Sequence, residues 1–151
     1  MTGINRNTST DGYYMPEQHG FDDSYTFPVS NNPSCGYNST WEPDPDTCFL
    51  MRKSRVVEQP IISLSSLPDR FTAEAVKIVQ TYGGVRPFFL FKSFLQPHTP
   101  IFASPRFQGR SRRGLYGDAI EEFDDTVGQI MAAVEATGQT NNTIVIYSSG
   151  A

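Results

Sequence analysis

RPFFLFKSFLQPHTPIFASPRFQGRSRRGLYGDAIEEFDDTVG, residues 86–128, decides the fold, because it reads as strand, loop and helix in succession. Pro87 opens a run of bulky apolar residues, 88–91, continued by Phe94 and Leu95. Such a run suits a strand buried on both faces of a sheet. Pro97 and Pro100 then bracket His98 in a segment that can neither pair in a sheet nor coil into a helix, so the imidazole sits on a stiff loop. In open parallel sheets ligands bind beyond the carboxyl ends of the strands, and His98 lies at such an end. From about Leu115 the pattern becomes helical. At about 100° per residue, Ile120, Phe123, Val127, Ile130, Met131 and Val134 share one face, while Asp118, Glu121, Glu122 and Asp125 share the other.

Outward from this stretch, Ser66 starts a second helix: Pro68 and Asp69 fit its first turn, and Phe71, Ala75, Ile78, Val79 and Tyr82 form one stripe. Gly83 and Gly84 end it. Residues 143–148, TIVIYS, read as a further strand. Helix, strand, helix and strand make one β-α-β crossover preceded by a helix, which places the chain in the α/β class with helices packed on a parallel sheet. VVEQPII, residues 56–62, reads as a short extended piece confined by Pro60 to an edge or the surface. Residues 31–46 carry three prolines, Cys35 and a sequon without an apolar pattern, as a surface excursion does. Residues 1–15 form a flexible polar start, and order begins near Pro16. Two strands make too small a parallel sheet to be covered on both sides, so exposed apolar edges are expected.

Composition narrows the function classes. The 151 residues are 38% hydrophobic and 13% aromatic, enough for one ordinary domain. A net charge of −4 gives no bulk attraction to nucleic acid. No apolar run approaches the roughly 18 residues of a membrane helix, and MTGINRNTSTDG does not read as a signal peptide. Asn7, Asn38 and Asn141 head glycosylation sequons. Cys35 and Cys48 are the only cysteines: they form a disulfide in an exported protein, or stand as two free thiols.

Four groups are weighed for chemistry. The acidic face of the helix from Leu115 lies opposite its apolar stripe and near its N-terminus, so it reads as a solvated face rather than a metal site. Arg106, Arg110, Arg112 and Arg113 follow His98 closely; guanidinium forks suit oxyanions such as sulfate, and equally they neutralise the helix that follows. His19, beside Gly20, reads as a turn or surface residue. His98 is the strongest candidate, an imidazole held at a strand end.

These motifs together, Pro-Phe-Phe-Leu, a histidine between prolines, Arg112-Arg113-Gly114, then Tyr116-Gly117-Asp118 and an acidic amphipathic helix, resemble the sulfatase family in order and spacing. The resemblance runs from about Pro16 to the end and implies an incomplete piece, 16–151, of an alkaline-phosphatase-like catalytic domain of arylsulfatase type. It implies sulfate ester hydrolysis by the parent domain, with a formylglycine nucleophile and a calcium ion, on a small sulfate ester or a sulfated glycan. It implies that His98 contacts the ester near its leaving oxygen as a general acid, with Arg112 and Arg113 as lesser contacts to substrate. A lysosomal, endoplasmic-reticulum or extracellular parent follows from the same resemblance. The departures are as specific. Cys35 stands in Cys-Gly-Tyr-Asn-Ser and not in the family's Cys-x-Pro-x-Arg, and Ser149 runs straight into Gly150 where the family has Asp-Asn-Gly. With neither nucleophile nor metal ligands, calcium is not expected to bind these residues, and the chain is expected to be inactive alone. The alternative is a non-catalytic remnant or pseudoenzyme that binds sulfated ligands or a protein partner through the 106–113 loop.

Overall fold

The computed structural model describes residues 14–28, 35, 48–53, 55–59, 61 and 63–149. Short pieces near the start build a three-stranded antiparallel sheet in the order β1-β2-β3, from β1 (Tyr25–Thr26), β2 (Leu50–Arg52) and β3 (Arg55–Glu58). β3 is an edge strand with its side chains largely exposed, as expected of VVEQPII. Behind the sheet lies the first core. Leu50, Ile61, Leu64, Leu67 and Phe102 are fully buried there around the Cys35–Cys48 disulfide, with Tyr25, Phe27, Phe71 and Leu95 packed at its margin. The disulfide closes a loop of 13 residues' separation, a length at which the restricted unfolded chain contributes about 3 kcal/mol.

α1 (Leu67–Tyr82) follows a 3-10 turn, Leu64–Ser66. Pro68 sits in its first turn, where no amide donor is needed, and Asp69 complements the positive helix end. Gly83 N–H closes the helix on Val79 O at 2.7 Å, and Gly84 then takes φ 74°. Leu67, Pro68, Thr72, Ala75 and Val79 form the buried line, whereas Ile78 and Tyr82 of the expected stripe are only half-buried.

α2 (Gly114–Ala136) packs along α1; Val134 and Ile130 of the expected stripe take part near its C-terminal end, while its N-terminal half turns inward a face the sequence pattern did not select. Its buried residues are Gly117, Asp118, Ala119, Glu122, Thr126, Ala133 and Val134, while Ile120 is 37% exposed. The expected solvated face is therefore corrected at two of its four carboxylates, Asp118 and Glu122, which are 2% and 1% exposed. Small side chains on this face let the helices approach. Thr72 Oγ1 donates to Pro68 O at 2.7 Å and lies 3.0 Å from Thr126 Oγ1, so that the two threonines join the helices. The carboxylates next to them are buried at tolerable cost because a loop supplies their hydrogen bonds. The apolar side of α2 is used as well: Phe123 meets Phe94, ring centroids 4.2 Å apart, and Tyr147 at 6.0 Å.

Residues 88–94 and 143–149 lie against α2 without forming a ladder. Among the described residues no backbone hydrogen bond joins them. Phe88 and Leu90 pack on Val79, Ala133 and Val134, but the alternate residues Phe89 and Phe91 are 76% and 69% exposed, and Ile144 and Ile146 are 89% and 84% exposed. The strand expected to be buried on both faces is thus covered on the helix side only. The reason is geometric. A parallel strand needs neighbours on its edges and a layer on each face, and one helical layer supplies a single face. The apolar exposure expected of so small a sheet is present.

Candidate functional site: the His98 loop and its helix clamps

The chain from Gln96 to Gly114 crosses the buried face of α2 and presents His98. Gln96, at its start, is 7% exposed, and the Gln96–Pro97 and Thr99–Pro100 peptides are both cis. His98 N donates to Leu95 O at 3.1 Å, folding the loop back at once. The ring is exposed, and its Nδ1 bonds the carbonyl of Thr99. A carbonyl only accepts, so Nδ1 carries the proton, and Nε2 is the nitrogen that accepts when the ring is neutral and donates when it is charged.

Two carboxylates one helical turn apart fasten this loop. Glu122 Oε2 accepts from Gln96 Nε2 at 2.7 Å and from Ser104 N at 3.1 Å. Burial raises its carboxyl above the usual range, while the bonds from Ser104 and Gln96 act the other way. Glu122 Oε1 and Ser104 Oγ are buried with no bond of their own among the described residues. Asp118, four residues earlier, takes Gly109 N on Oδ2 at 2.8 Å and Ser111 N on Oδ1 at 2.7 Å. Those amide donors, Ser111 first, hold its carboxyl below the usual range. Gly109 has φ 73°, a conformation that favours glycine, and it aims its N–H at Asp118.

The arginines divide between these fixed ends. Arg106 pairs with Asp125 at 2.7 Å and Asp69 at 3.5 Å, so it ties the loop to both helices. Arg106 and Arg110 also stack on the buried Phe107, 4.6 and 4.8 Å from its centroid. Arg112 and Arg113 are exposed and carry no ion pair among the described residues. With Tyr116, Ile120 and Glu121 they line an open groove of about 620 Å³ at the start of α2. His98 and the Arg112–Arg113 pair therefore belong to opposite ends of the loop, the first held by Glu122 and the second by Asp118.

Other sequence candidates fall elsewhere. His19 ends an exposed 3-10 turn, Pro16–His19. Asn141 is exposed in the turn Thr140–Asn142, and Asn7 and Asn38 lie outside the described residues. Among the described residues no group of three or more His, Cys, Asp or Glu side chains is placed to hold a metal ion. Sequence reasoning missed Gln96, Asp118 and Glu122. The available signal was a polar and small-residue stripe at i, i+4 and i+8, Asp118, Glu122 and Thr126, which marks a helix face as readily as leucines do.

A histidine-bearing loop fastened across the N-terminal half of a long helix, beside two extended apolar segments, is consistent with part of an α/β domain. The chain belongs to the sulfatase family: the family described as Sulfatase matches residues 2–150. It has the alkaline-phosphatase-like fold of that family in part. It is 36% identical over 150 residues to the arylsulfatase of Hemicentrotus pulcherrimus, covering 97% of this chain and 27% of that protein. It is 39% identical over 105 residues to human steryl-sulfatase, 70% of this chain and 18% of the relative. Among solved structures it superposes on Ps i-CgsB with a TM-score of 0.61 at 25% identity, over 87% of this chain and 32% of that one. The chain thus spans between about a fifth and a third of these relatives.

Proposed function

We propose that these residues form part of a sulfuric ester hydrolase of arylsulfatase type, in which His98 stands at the leaving oxygen of a sulfate ester. Residues 16–151 would be the share of the catalytic domain and 1–15 a polar lead-in. The observation that carries this reading is the seat of His98: an exposed imidazole with Nδ1 committed to Thr99 and both loop ends fixed to one helix. In the parent, Nε2 of the charged ring donates to the departing alkoxide and so lowers the barrier to S–O cleavage. A formylglycine nucleophile and a calcium ion, which would draw charge from the sulfate, belong to other segments. No Cys-x-Pro-x-Arg occurs in these 151 residues. We infer a lysosomal, endoplasmic-reticulum or extracellular parent, with Asn141 a glycosylation acceptor and the substrate a small sulfate ester or sulfated glycan.

The test has two arms. The purified chain should not hydrolyse a generic aryl sulfate with or without calcium; turnover lost on His98→Ala would overturn its assignment as inactive alone. Residues 16–149 grafted into the Hemicentrotus arylsulfatase in place of its matching segment should support turnover, and His98→Ala in the graft should cost about 100-fold or more. A graft indifferent to His98→Ala would sink the role given to that residue. The second reading, binding of sulfated ligands without catalysis, is favoured by one observation, the exposed Arg112 and Arg113 on an open groove. Under it, a sulfated disaccharide should bind the chain with an affinity that falls with salt and is lost on R112A/R113A.

A further inference from the structure

We propose that Glu122 is the positioning residue of this site, the group that sets the orientation of His98 through Gln96 and Ser104. The inference rests on the proposed role of His98 for its catalytic meaning, but the clamp itself is a matter of geometry. Its two donors bracket the histidine, Gln96 two residues before it and Ser104 six residues after it, and they converge on a single oxygen, Glu122 Oε2. One atom on a rigid helix therefore fixes both ends of the span that carries the imidazole. A carboxyl at 1% exposure is costly to bury. An apolar side chain would fill the same space without that cost, so the return on Glu122 lies in its acceptor.

The two unpartnered atoms belong to the same pair of residues. Glu122 Oε1 and Ser104 Oγ are both buried and make no hydrogen bond of ordinary geometry among the described residues, although the Ser104 side chain is close enough to favour the charged form of Glu122. A hydroxyl rotates to suit its neighbour and either donates or accepts. Ser104 can thus serve Oε1, or the amide nitrogen of a glutamine in the same place, while Oε2 keeps Gln96 and the Ser104 amide. The acceptor and not the charge is what the clamp needs. This separates Glu122→Gln, which retains the acceptor, from Glu122→Leu, which strands two buried donors.

The chain holds two histidines, and His19 on its own turn is an internal control. In carbon-labelled chain, the Cε1–H signal of His98 should shift and broaden in Glu122→Leu, His19 should stay in place, and Glu122→Gln should restore the His98 signal. An unmoved His98 signal in folded Glu122→Leu overturns the proposal, as does a Glu122→Gln that displaces it as far as leucine. If the leucine variant does not fold, Gln96→Ala removes one of the two donors and should still move His98 more than His19; no movement overturns the proposal. In the arylsulfatase graft, Glu122→Leu should lower kcat about 100-fold, with His98→Ala adding little on top. Should the spectra move while the graft ignores His98, the clamp stands and the catalytic reading of His98 falls.

Discussion

Gly117→Ala tests how closely the loop is seated on α2. A Cβ at this fourth residue of the helix would lie 2.1 Å from Ser111 Oγ, 2.7 Å from Ser111 Cβ and 2.9 Å from Arg113 Cβ. Carbon atoms settle at about 3.5–4.0 Å, so two contacts are short by most of an ångström. The Ser111 hydroxyl can turn aside. Its Cβ cannot, because Ser111 N is bound to Asp118 Oδ1 at 2.7 Å. Alanine is favoured over glycine inside a helix by about 1 kcal/mol, and overpacking costs about 1–3 kcal/mol, here the upper part of that range, about 2–3, because three atoms lie within 3.0 Å of the added carbon. We expect a net loss of about 1–2 kcal/mol, concentrated on residues 109–113. Those residues include Arg110, Arg112 and Arg113, three sites for trypsin. When opening is fast beside cleavage, the rate follows the open population, so cleavage in this loop should quicken about 5–30-fold. Ser111→Gly keeps the amide that Asp118 needs and removes the two nearest of the three atoms in conflict, leaving only Arg113 Cβ. In the double variant most of the gain in rate should vanish, a coupling of about 1 kcal/mol. A Gly117→Ala chain cut no faster than the parent, or a double variant cut as fast as additivity requires, would refute this account of the seat.

Burial holds the Lys92 ammonium down to about 8 from its ordinary 10.5, with Nζ 4.8 Å from the Phe94 centroid and 5.6 Å from that of Phe71. Between those values the unfolded chain binds more protons than the folded one, so stability should rise with pH from about 8 to 10.5. Lys92→Met should remove that slope and stabilise the chain at pH 7 by on the order of 3 kcal/mol. Urea midpoints across the window check both, and a flat profile for the parent sinks the argument. Phe89, Phe91, Ile144 and Ile146 leave apolar surface open beside backbone that joins no ladder among the described residues, which favours association. Sedimentation should show concentration-dependent oligomers that Phe89→Lys with Ile144→Lys weakens; a parent monomeric at every concentration would contradict this.

Both helices were legible because their signals are local. Pro68, Asp69 and Gly83 mark the ends of α1 within a turn of the observed limits, and α2 begins one residue from Leu115. The orientation of α2 was not legible. Hydropathy ranks Asp118 and Glu122 as outward, and their burial depends on donors up to 26 residues away in a loop with no regular pattern. Position in the fold, not residue type, decided which carboxylates were inside: Glu121, on the same helix, stays exposed. The apolar run 88–91 carried a message of burial that holds only for Phe88 and Leu90, the residues packed on the helices. It carried none about the opposite face, because a ladder is a property of two segments and not of one. The basic run split in a way composition could not foresee, since Arg106 and Arg110 share one buried ring while Arg112 and Arg113 do not.

The seat of His98 and the sheet beside it are separable in physical terms. Each clamp bond lies within residues 96–122, and the acceptors stand on a helix whose backbone bonds are internal. The partnering of 88–94 and 143–149 is non-local, and it meets the seat beside the bond from His98 N to Leu95 O. Fraying of those segments would therefore loosen one tether and leave Gln96, Ser104, Gly109 and Ser111 bound. Loss of Glu122 would do the reverse, freeing the loop while Phe88 and Leu90 stay packed between the helices. For a chain that spans a fraction of its relatives, the geometry of the histidine is thus written mainly in α2, and changes there should alter His98 before they alter the packing of the apolar segments.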